Sequence, residues 1–387
     1  MARFLVAWEF GEDLGHLRRV LPLGRALRER GHEVVFAFRD ATRLDAAARD
    51  GFAAWAAPVL RRPPAFDPAP VNAADVLLNL GFRDIASLRG VQRAWDTLID
   101  SARPDAVVAD YAPNAMLAAA RRSLRRATVG SGFALAPMSD PLPAIRPGGA
   151  DEAALRRADE ELRRSLAQVE GCDGIPLGAL FRAEVNLLMT YPELDPLGPR
   201  PGDYLGPLAC SREGLEVQWD GSRSPRVLAY LKLRDPRFRA VLAALQGATA
   251  QSIVAAPGMP DDTARECSTG GVRVYGRALR LAPLLEDVDA CVGHGGPGFA
   301  ADALRAGAPL LLLPMHLEQE LVARRLVECG VAVMHLGDAS TVGAALAAML
   351  ADEPLRERAR RFARKLGARP GSDAAREAAA RLEALAR

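Results

Sequence analysis

The segment CVGHGGPG at residues 291–298 sets four glycines and a histidine between an apolar run and a stretch of helical spacing. A strand ending at Val292 and a helix from about Phe299 to Arg305 leave bare backbone amides grouped at a helix N-terminus. Such a turn suits an anion. A phosphate can approach a backbone without side chains, the first-turn N–H groups have no partners within the helix, and the aligned peptide dipoles favour negative charge. His294 adds a side-chain donor at the strand end. Tight αβ turns also use glycine for sterics, so it is the histidine that singles this turn out. Downstream, PLLLLPM (309–315) delivers MHLEQE (315–320) to the same carboxyl edge, where ligands of open α/β sheets collect. Glu318 and Gln319 suit the hydroxyls of a sugar there; they equally suit a solvated first helical turn, which favours acidic residues.

The elements that must position these residues alternate between strand and helix character, the pattern of a parallel sheet covered on both faces. FLVAWEF (4–10) reads as a buried strand, GEDLG (11–15) as a turn, and residues 16–30 as a helix stopped by Gly31, with a second strand at 32–38. DAVVAD (105–110) leads into an Ala-rich helix at 114–122, and RATVGSGF (126–133) reads as another strand. Prolines at 137, 141, 143 and 147 break regular structure before a charged helix at 151–169. YPELDPLGPRPGDYLGPL (191–208) is too rich in proline and glycine for a helix interior or a central strand and is read as an interdomain linker. The alternation then restarts, with strands at 225–233, 251–258, 272–276, 287–293, 309–315 and 331–336, and closes with helices at 354–367 and 373–386. Domains are expected at 1–205 and 206–370, with 371–387 a helix returning to the first.

Composition bounds the function. The chain has 387 residues, 49% hydrophobic, enough for two cores. A net charge of +2 with scattered arginines calls for neither nucleic acid nor an anionic surface. The basic run RRSLRR (121–126) is read as a solvated helix end rather than a lipid contact. Five cysteines (172, 210, 267, 291 and 329), far apart and without a CxxC pair, suit free thiols rather than disulfides or zinc. His32, at a strand start, is read as satisfying local hydrogen bonds, His316 and His335 have no ligand partners at metal spacing, and no metal is expected. The apolar start is too short for a signal peptide and no apolar stretch reaches the ~20 residues of a membrane span. The expectation is a cytoplasmic protein without stable membrane insertion.

The stretch HGGPGFAADALRAGAPLLLLPMHLEQELVARRLVECGVAV (294–333) resembles the nucleotide-sugar signature of the UDP-glycosyltransferase superfamily, and GHLRRVLPLGRALRERGHEVVFA (15–37) is similar to that family's first loop and helix. The resemblance implies an α/β chain of GT-B fold, two Rossmann-like domains facing each other across a cleft. It implies an inverting glycosyltransferase of bacterial natural-product type, moving a sugar from a nucleoside diphosphate sugar (UDP or dTDP) to a hydroxyl of a small, fairly apolar acceptor, without metal or other cofactor. By the same resemblance His16 is the catalytic base and Asp110, in VVADYA (108–113), orients it. A histidine's ordinary pKa near ~6.5 suits a base that takes the proton of an attacking alcohol. His294 and the amides of residues 295–299 (Gly295, Gly296, Gly298 and Phe299 among them) would hold the diphosphate, and Glu318 and Gln319 the sugar.

The sequence departs from the family at several places. Phe299 stands where Ser or Thr usually follows HGGxG, Asp302 replaces a glutamate, and Ala278, Arg280 and Leu281 stand where many members carry a base-stacking tryptophan followed by Pro-Gln. AYLKL (229–233) replaces a Gly-Ser/Thr step, so Lys232 is expected to supply charge to the diphosphate. These departures keep two other readings open, a non-catalytic nucleotide-sugar-binding or partner subunit and a sugar-nucleotide epimerase on the same fold.

Overall fold

The computed structural model describes residues 1–11, 14–60, 69–146, 148–208, 214–221, 224–367 and 371–386. Glu12, Asp13, Pro147 and Cys210 lie outside them. The chain divides into two compact units, 1–189 with 200–206 and 372–387, and 190–199 with 207–371.

The first unit runs β1 (Arg3–Trp8), α1 (Leu14–Glu29), β2 (Glu33–Phe38), α2 (Leu44–Arg49), β3 (Ala53–Ala56), α3 (Ala73–Leu77), α4 (Ile85–Ala102), β4 (Ala106–Asp110), α5 (Pro113–Arg121), β5 (Arg125–Gly130), α6 (Glu152–Ala167), β6 (Val185–Leu188) and β7 (Asp203–Tyr204). Its seven-stranded parallel sheet is ordered β3-β2-β1-β4-β5-β6-β7. Leu5, Ala7, Val35, Ala37, Val107 and Ala109 pack on one face against Trp95 and Ile99 of α4 and the alanines of α5. The alternate residues Phe4, Val6, Phe36 and Phe38 are fully buried on the other.

The second unit runs β8 (Arg226–Tyr230), α7 (Phe238–Gly247), β9 (Gln251–Ala255), α8 (Asp261–Cys267), β10 (Val272–Tyr275), α9 (Leu281–Leu285), β11 (Ala290–Gly293), α10 (Pro297–Ala306), β12 (Leu310–Leu312), α11 (Leu317–Glu328), β13 (Ala332–Met334), α12 (Val342–Ala351) and α13 (Glu353–Leu366). Its parallel order is β10-β9-β8-β11-β12-β13. Leu228, Ile253, Cys291, Leu310 and Leu312 meet α9, α10 and α11 on one face. Val227, Ala229, Val254, Val292 and Leu311 meet α7 and α12 on the other. The last helix, α14 (Gly371–Leu385), falls in the first unit from Ser372 onward, where Arg30 pairs with Glu383 and Arg125 donates to the Leu385 carbonyl.

Both sheets reverse their winding between the first and fourth strands, β1 beside β4 and β8 beside β11. Chain ends diverge at such a switch point, so the carboxyl edge there is open to a ligand. The residues at these two positions are Trp8 with Asp110, and the segment after Tyr230 with His294.

The linker differs from the sequence reading. Asp203 and Tyr204 pair with Leu187 and Leu188, extending the first sheet, and the chain passes between the units at 189–190, 199–200 and 206–207. A two-residue edge strand tolerates flanking prolines because an edge needs few donors. The run at 121–126 is built in rather than solvated: Arg121 and Arg122 pair with Asp96, Arg122 also with Asp100, and Arg126 donates to the Ala179 carbonyl. No described helix is long and apolar enough to cross a membrane.

Candidate active site

In the first unit the site begins with β1. Trp8 is its last residue, buried, and donates its indole N–H to the Phe10 carbonyl at 2.8 Å. The chain then turns at Gly11, with φ +86°, and α1 starts at Leu14, two residues earlier than the spacing predicts. His16 is therefore the third residue of the first helical turn rather than the helix's first residue. Its ring stacks on Trp8, with centroids 5.1 Å apart and planes 12° apart. Its Nε2 lies directly over Gly11, where a Cβ would fall 2.1 Å away.

Asp110 ends β4 beside Trp8. Its carboxylate is 1% exposed, and Oδ2 lies 3.1 Å from His16 Nδ1. The contact is at ion-pair distance, but Nδ1 has no well-aligned hydrogen bond. The stronger partner is Arg19, unforeseen in the sequence, whose Nη1 donates to Oδ1 at 2.6 Å and Oδ2 at 2.8 Å. Burial pushes the Asp110 carboxyl up; the Arg19 guanidinium and then His16 together outweigh it and hold the group below the usual carboxylate range. The i, i+3 spacing of His16 and Arg19 on α1 places both on one helix face. That spacing is the one sequence signal that could have found Arg19.

Behind this site Glu9 is fully buried and caps α5. Its Oε1 accepts from Ala115 N at 2.6 Å, and Oε2 from Asn114 N and Nδ2 at 3.1 and 2.9 Å. Burial pushes its carboxyl up to about 8 in spite of these donors. A raised folded-state value means the folded protein binds the extra proton, so this group's contribution is full below about pH 4.5 and is lost as pH rises toward 8. Glu9→Gln does not titrate. The difference in unfolding free energy between parent and variant, followed by denaturant titration, is expected to drift against the parent from pH 4.5 to 8; a constant difference would contradict this.

In the second unit, His294 follows β11 and is buried. The expected free side-chain donor is not found. Nε2 accepts from the Lys232 backbone N–H at 2.9 Å, and Nδ1 lies 2.9 Å from the Leu313 carbonyl and 3.3 Å from Asp235 Oδ2. A ring that accepts at Nε2 carries its proton on Nδ1, so both nitrogens tie the ends of β8, β11 and β12 together. Asp235 is buried and takes the backbone N–H, Nε and Nη2 of Arg237. Arg237 in turn donates to the carbonyls of Leu313, Pro314 and His335. Burial pushes Asp235 up, but the bonds from His294 and Arg237 prevail and hold it far below the usual range. Neither Asp235 nor Arg237 stood out in the sequence.

Gly295 has φ +84°, and a Cβ there would meet the Gln319 carbonyl at 2.8 Å. Gly296 caps α10 without a side-chain bond, and Pro297 is its first residue. Proline has no N–H, which corrects the expected set of amides: Gly295, Gly296, Gly298 and Phe299 can donate and Pro297 cannot. The Phe299 ring turns back onto Tyr230, 5.8 Å between centroids, and onto Gly293, so only its backbone faces the question of a ligand. Gln319 is also used internally. It is buried and its Oε1 accepts from Met315 N at 2.9 Å, leaving Glu318, half-buried, as the more accessible of the pair. Lys232 is fixed beside His294 by its backbone. Arg280, at one of the places of departure, pairs with Glu216. Among the described residues no group of three His, Cys, Asp or Glu is arranged to hold a metal ion.

Residues 240–385 match the family described as "Erythromycin biosynthesis protein CIII-like, C-terminal domain". The chain is 33% identical over 105 residues to the NDP-glycosyltransferase YjiC of Bacillus subtilis (strain 168), a match over 26% of each protein. It spans about a quarter of the length of the curated relatives it matches. Along its whole length it is similar to the glycosyltransferase of kitacinnamycin, with a TM-score of 0.69 and 20% identity over 100% of this chain and 99% of the other. It is also similar to the glycosyltransferase SsfS6 of Streptomyces sp. SF2575, solved with thymidine diphosphate, with a TM-score of 0.66 and 20% identity over 98% and 99%. At such identities the likeness carries the fold, GT-B, and the matched carboxyl-terminal region carries the kinship. The chain thus has the GT-B fold along its length, and part of it is similar to glycosyltransferases of natural-product type.

Proposed function

We propose that the protein transfers a sugar from a nucleoside diphosphate sugar, with UDP or dTDP as the nucleotide, to a hydroxyl of a small, fairly apolar acceptor, inverting the anomeric carbon. The observation that carries this reading is His16. Its Nδ1 edge faces a buried carboxylate and its Nε2 lies in the space that a side chain at Gly11 would take. Nε2 would take the acceptor's hydroxyl proton as the O–H electron pair forms the new bond to the anomeric carbon. The bond from that carbon to the diphosphate breaks in line, its electron pair leaving on the phosphate oxygen, and a single displacement inverts the centre. Asp110 stabilises the imidazolium as it appears.

The leaving diphosphate would be held by the amides of Gly295, Gly296, Gly298 and Phe299 at the start of α10, with charge from Lys232. His294 acts there by fixing the turn rather than as a phosphate donor. Oriented amides and the helix N-terminus would take the electrostatic role a metal has elsewhere. Glu318 would accept from sugar hydroxyls, while Gln319 keeps its turn in place. SsfS6, the structural relative solved with thymidine diphosphate, supports a donor of this class.

The test is a thermal-shift panel of nucleotide sugars joined to a transfer assay. A bound donor raises the melting point, since a ligand held at about 100 times its Kd stabilises the folded state by about 2.7 kcal/mol. His16→Ala is expected to keep that shift and lose transfer; turnover at the parental rate would remove His16 from the mechanism. Donor binding with neither transfer nor hydrolysis in the parent would instead favour a binding subunit, and an isomerised donor an epimerase.

A further inference from the structure

We infer that Arg19 is a positioning residue of the same site, holding Asp110 by both oxygens so that His16 meets the carboxylate without being bound by it. The inference rests on the reading of His16 as the base. Three observations on different elements carry it. A single guanidinium nitrogen reaches both carboxylate oxygens at 2.6 and 2.8 Å, so the better hydrogen bonds of Asp110 go to α1's arginine rather than to its histidine. His16 Nδ1 keeps a 3.1 Å contact but no well-aligned bond. The orientation of the ring is instead set by Trp8, stacked at 12°, and by the space over Gly11.

The chemical consequence follows from charge. A carboxylate that is 1% exposed, with an imidazole as its only partner, draws a proton onto the ring. A ring already protonated cannot accept the proton of an acceptor hydroxyl. Arg19, 12% exposed, supplies the missing counter-charge. Asp110 is then satisfied while the ring is neutral, and it remains near enough to stabilise the positive charge that transfer creates. Stability alone does not call for the arrangement, because a buried ion pair often contributes no more than apolar side chains of the same volume. Among the described residues the charged groups around the ring are Asp110 of β4, Arg19 of α1 and Arg39 after β2, which donates to the Gly11 carbonyl at 3.3 Å. Glu9 of β1 is turned onto Asn114 and Ala115.

The experiment follows the His16 ring resonances by NMR across pH, identified by their loss in His16→Gln, and sets them beside the pH profile of kcat/KM. In Arg19→Ala the midpoint of ring protonation is expected to rise by about one pH unit, and the acidic limb of the profile to rise with it. Arg19→Lys, which keeps the charge, is expected to restore most of the shift. Arg19→Gln, which keeps donors but not charge, carries the same expectation as alanine and serves if the alanine variant does not fold. A midpoint in Arg19→Gln or Arg19→Ala that stays with the parent, or moves down, overturns the inference. The two readings separate cleanly. A raised midpoint with transfer intact in His16→Ala keeps Arg19's role and removes the base; an unmoved midpoint with transfer lost in His16→Ala does the reverse.

Discussion

Replacing Gly11 with alanine is expected to lower kcat/KM for sugar transfer by at least about a hundredfold while leaving nucleotide binding in place. The added Cβ would stand 2.1 Å from His16 Nε2, so the ring must move. It cannot slide along its own plane without leaving Trp8, and Asp110 gives it no strong bond to follow, because Arg19 occupies both oxygens. Displacement of a reacting atom by about 1 Å costs on the order of a hundredfold in rate. On the proposed mechanism the methyl group would also crowd the approach of an acceptor hydroxyl to Nε2. Stability falls less, by about 1 kcal/mol, because the position has φ +86° and alanine is strained there, but the turn is half-exposed and packs little else. The nucleotide-dependent rise in melting point, which the proposed donor site assigns to the other unit, is expected to be unchanged. Transfer within threefold of the parent would mean that the ring in the working protein does not lie over Gly11, and the assignment of Nε2 as the proton acceptor would fall with it.

What the sequence made legible was what backbone and strand pattern dictate. The strands are continuous apolar runs because both faces of each sheet are covered, and the ends of those runs mark the carboxyl edges where ligands collect. CVGHGGPG marked the start of α10, and GEDLGH marked the turn beside His16. The side-chain partnerships were not legible, for a physical reason. Arg19 looked like one of many arginines on a helix, and nothing in its spacing reveals that Asp110, 91 positions later, lies beneath it. His294 was read as a donor because a histidine in a glycine turn has a free edge on paper. In the folded chain that edge meets the Lys232 amide, which arrives from β8, 62 residues away in sequence. Contacts of that kind depend on which strands become neighbours, and β8 beside β11 is a property of the sheet order rather than of any local pattern. Phe299 misled in the same way. Its apolar side chain read as a lost phosphate ligand, yet it packs on Tyr230 and leaves its own amide where the helix begins.

The second large effect is expected from Asp235→Ala, which is predicted to destabilise the second unit by about 3 kcal/mol and to weaken nucleotide binding at least tenfold. Removing the carboxylate leaves the Arg237 guanidinium, itself largely buried, without its counter-charge; only the carbonyls of Leu313, Pro314 and His335 remain to it. An uncompensated buried charge is the costly half of a broken pair. The same substitution takes away the carboxylate beside His294 Nδ1, so the ring that joins Lys232 to the end of β12 loses one of its anchors. The amides of Gly295 and Gly296 follow that ring directly, and an anion site built from backbone is only as exact as the turn that holds it. Asp235→Asn, which keeps the volume and one acceptor, is expected to lose less stability than alanine. The pH dependence gives an independent check. Because the folded-state value lies far below the ordinary 3.8, the contribution of Asp235 is fully present above that pH and is lost as pH falls below it. The gap in stability between parent and alanine variant is therefore expected to stay constant from pH 5 to 7 and to narrow only below about pH 4, read from denaturant midpoints. A gap that closes near neutral pH, or a variant that binds nucleotide as the parent does, would show that the network around His294 does not hold the donor turn.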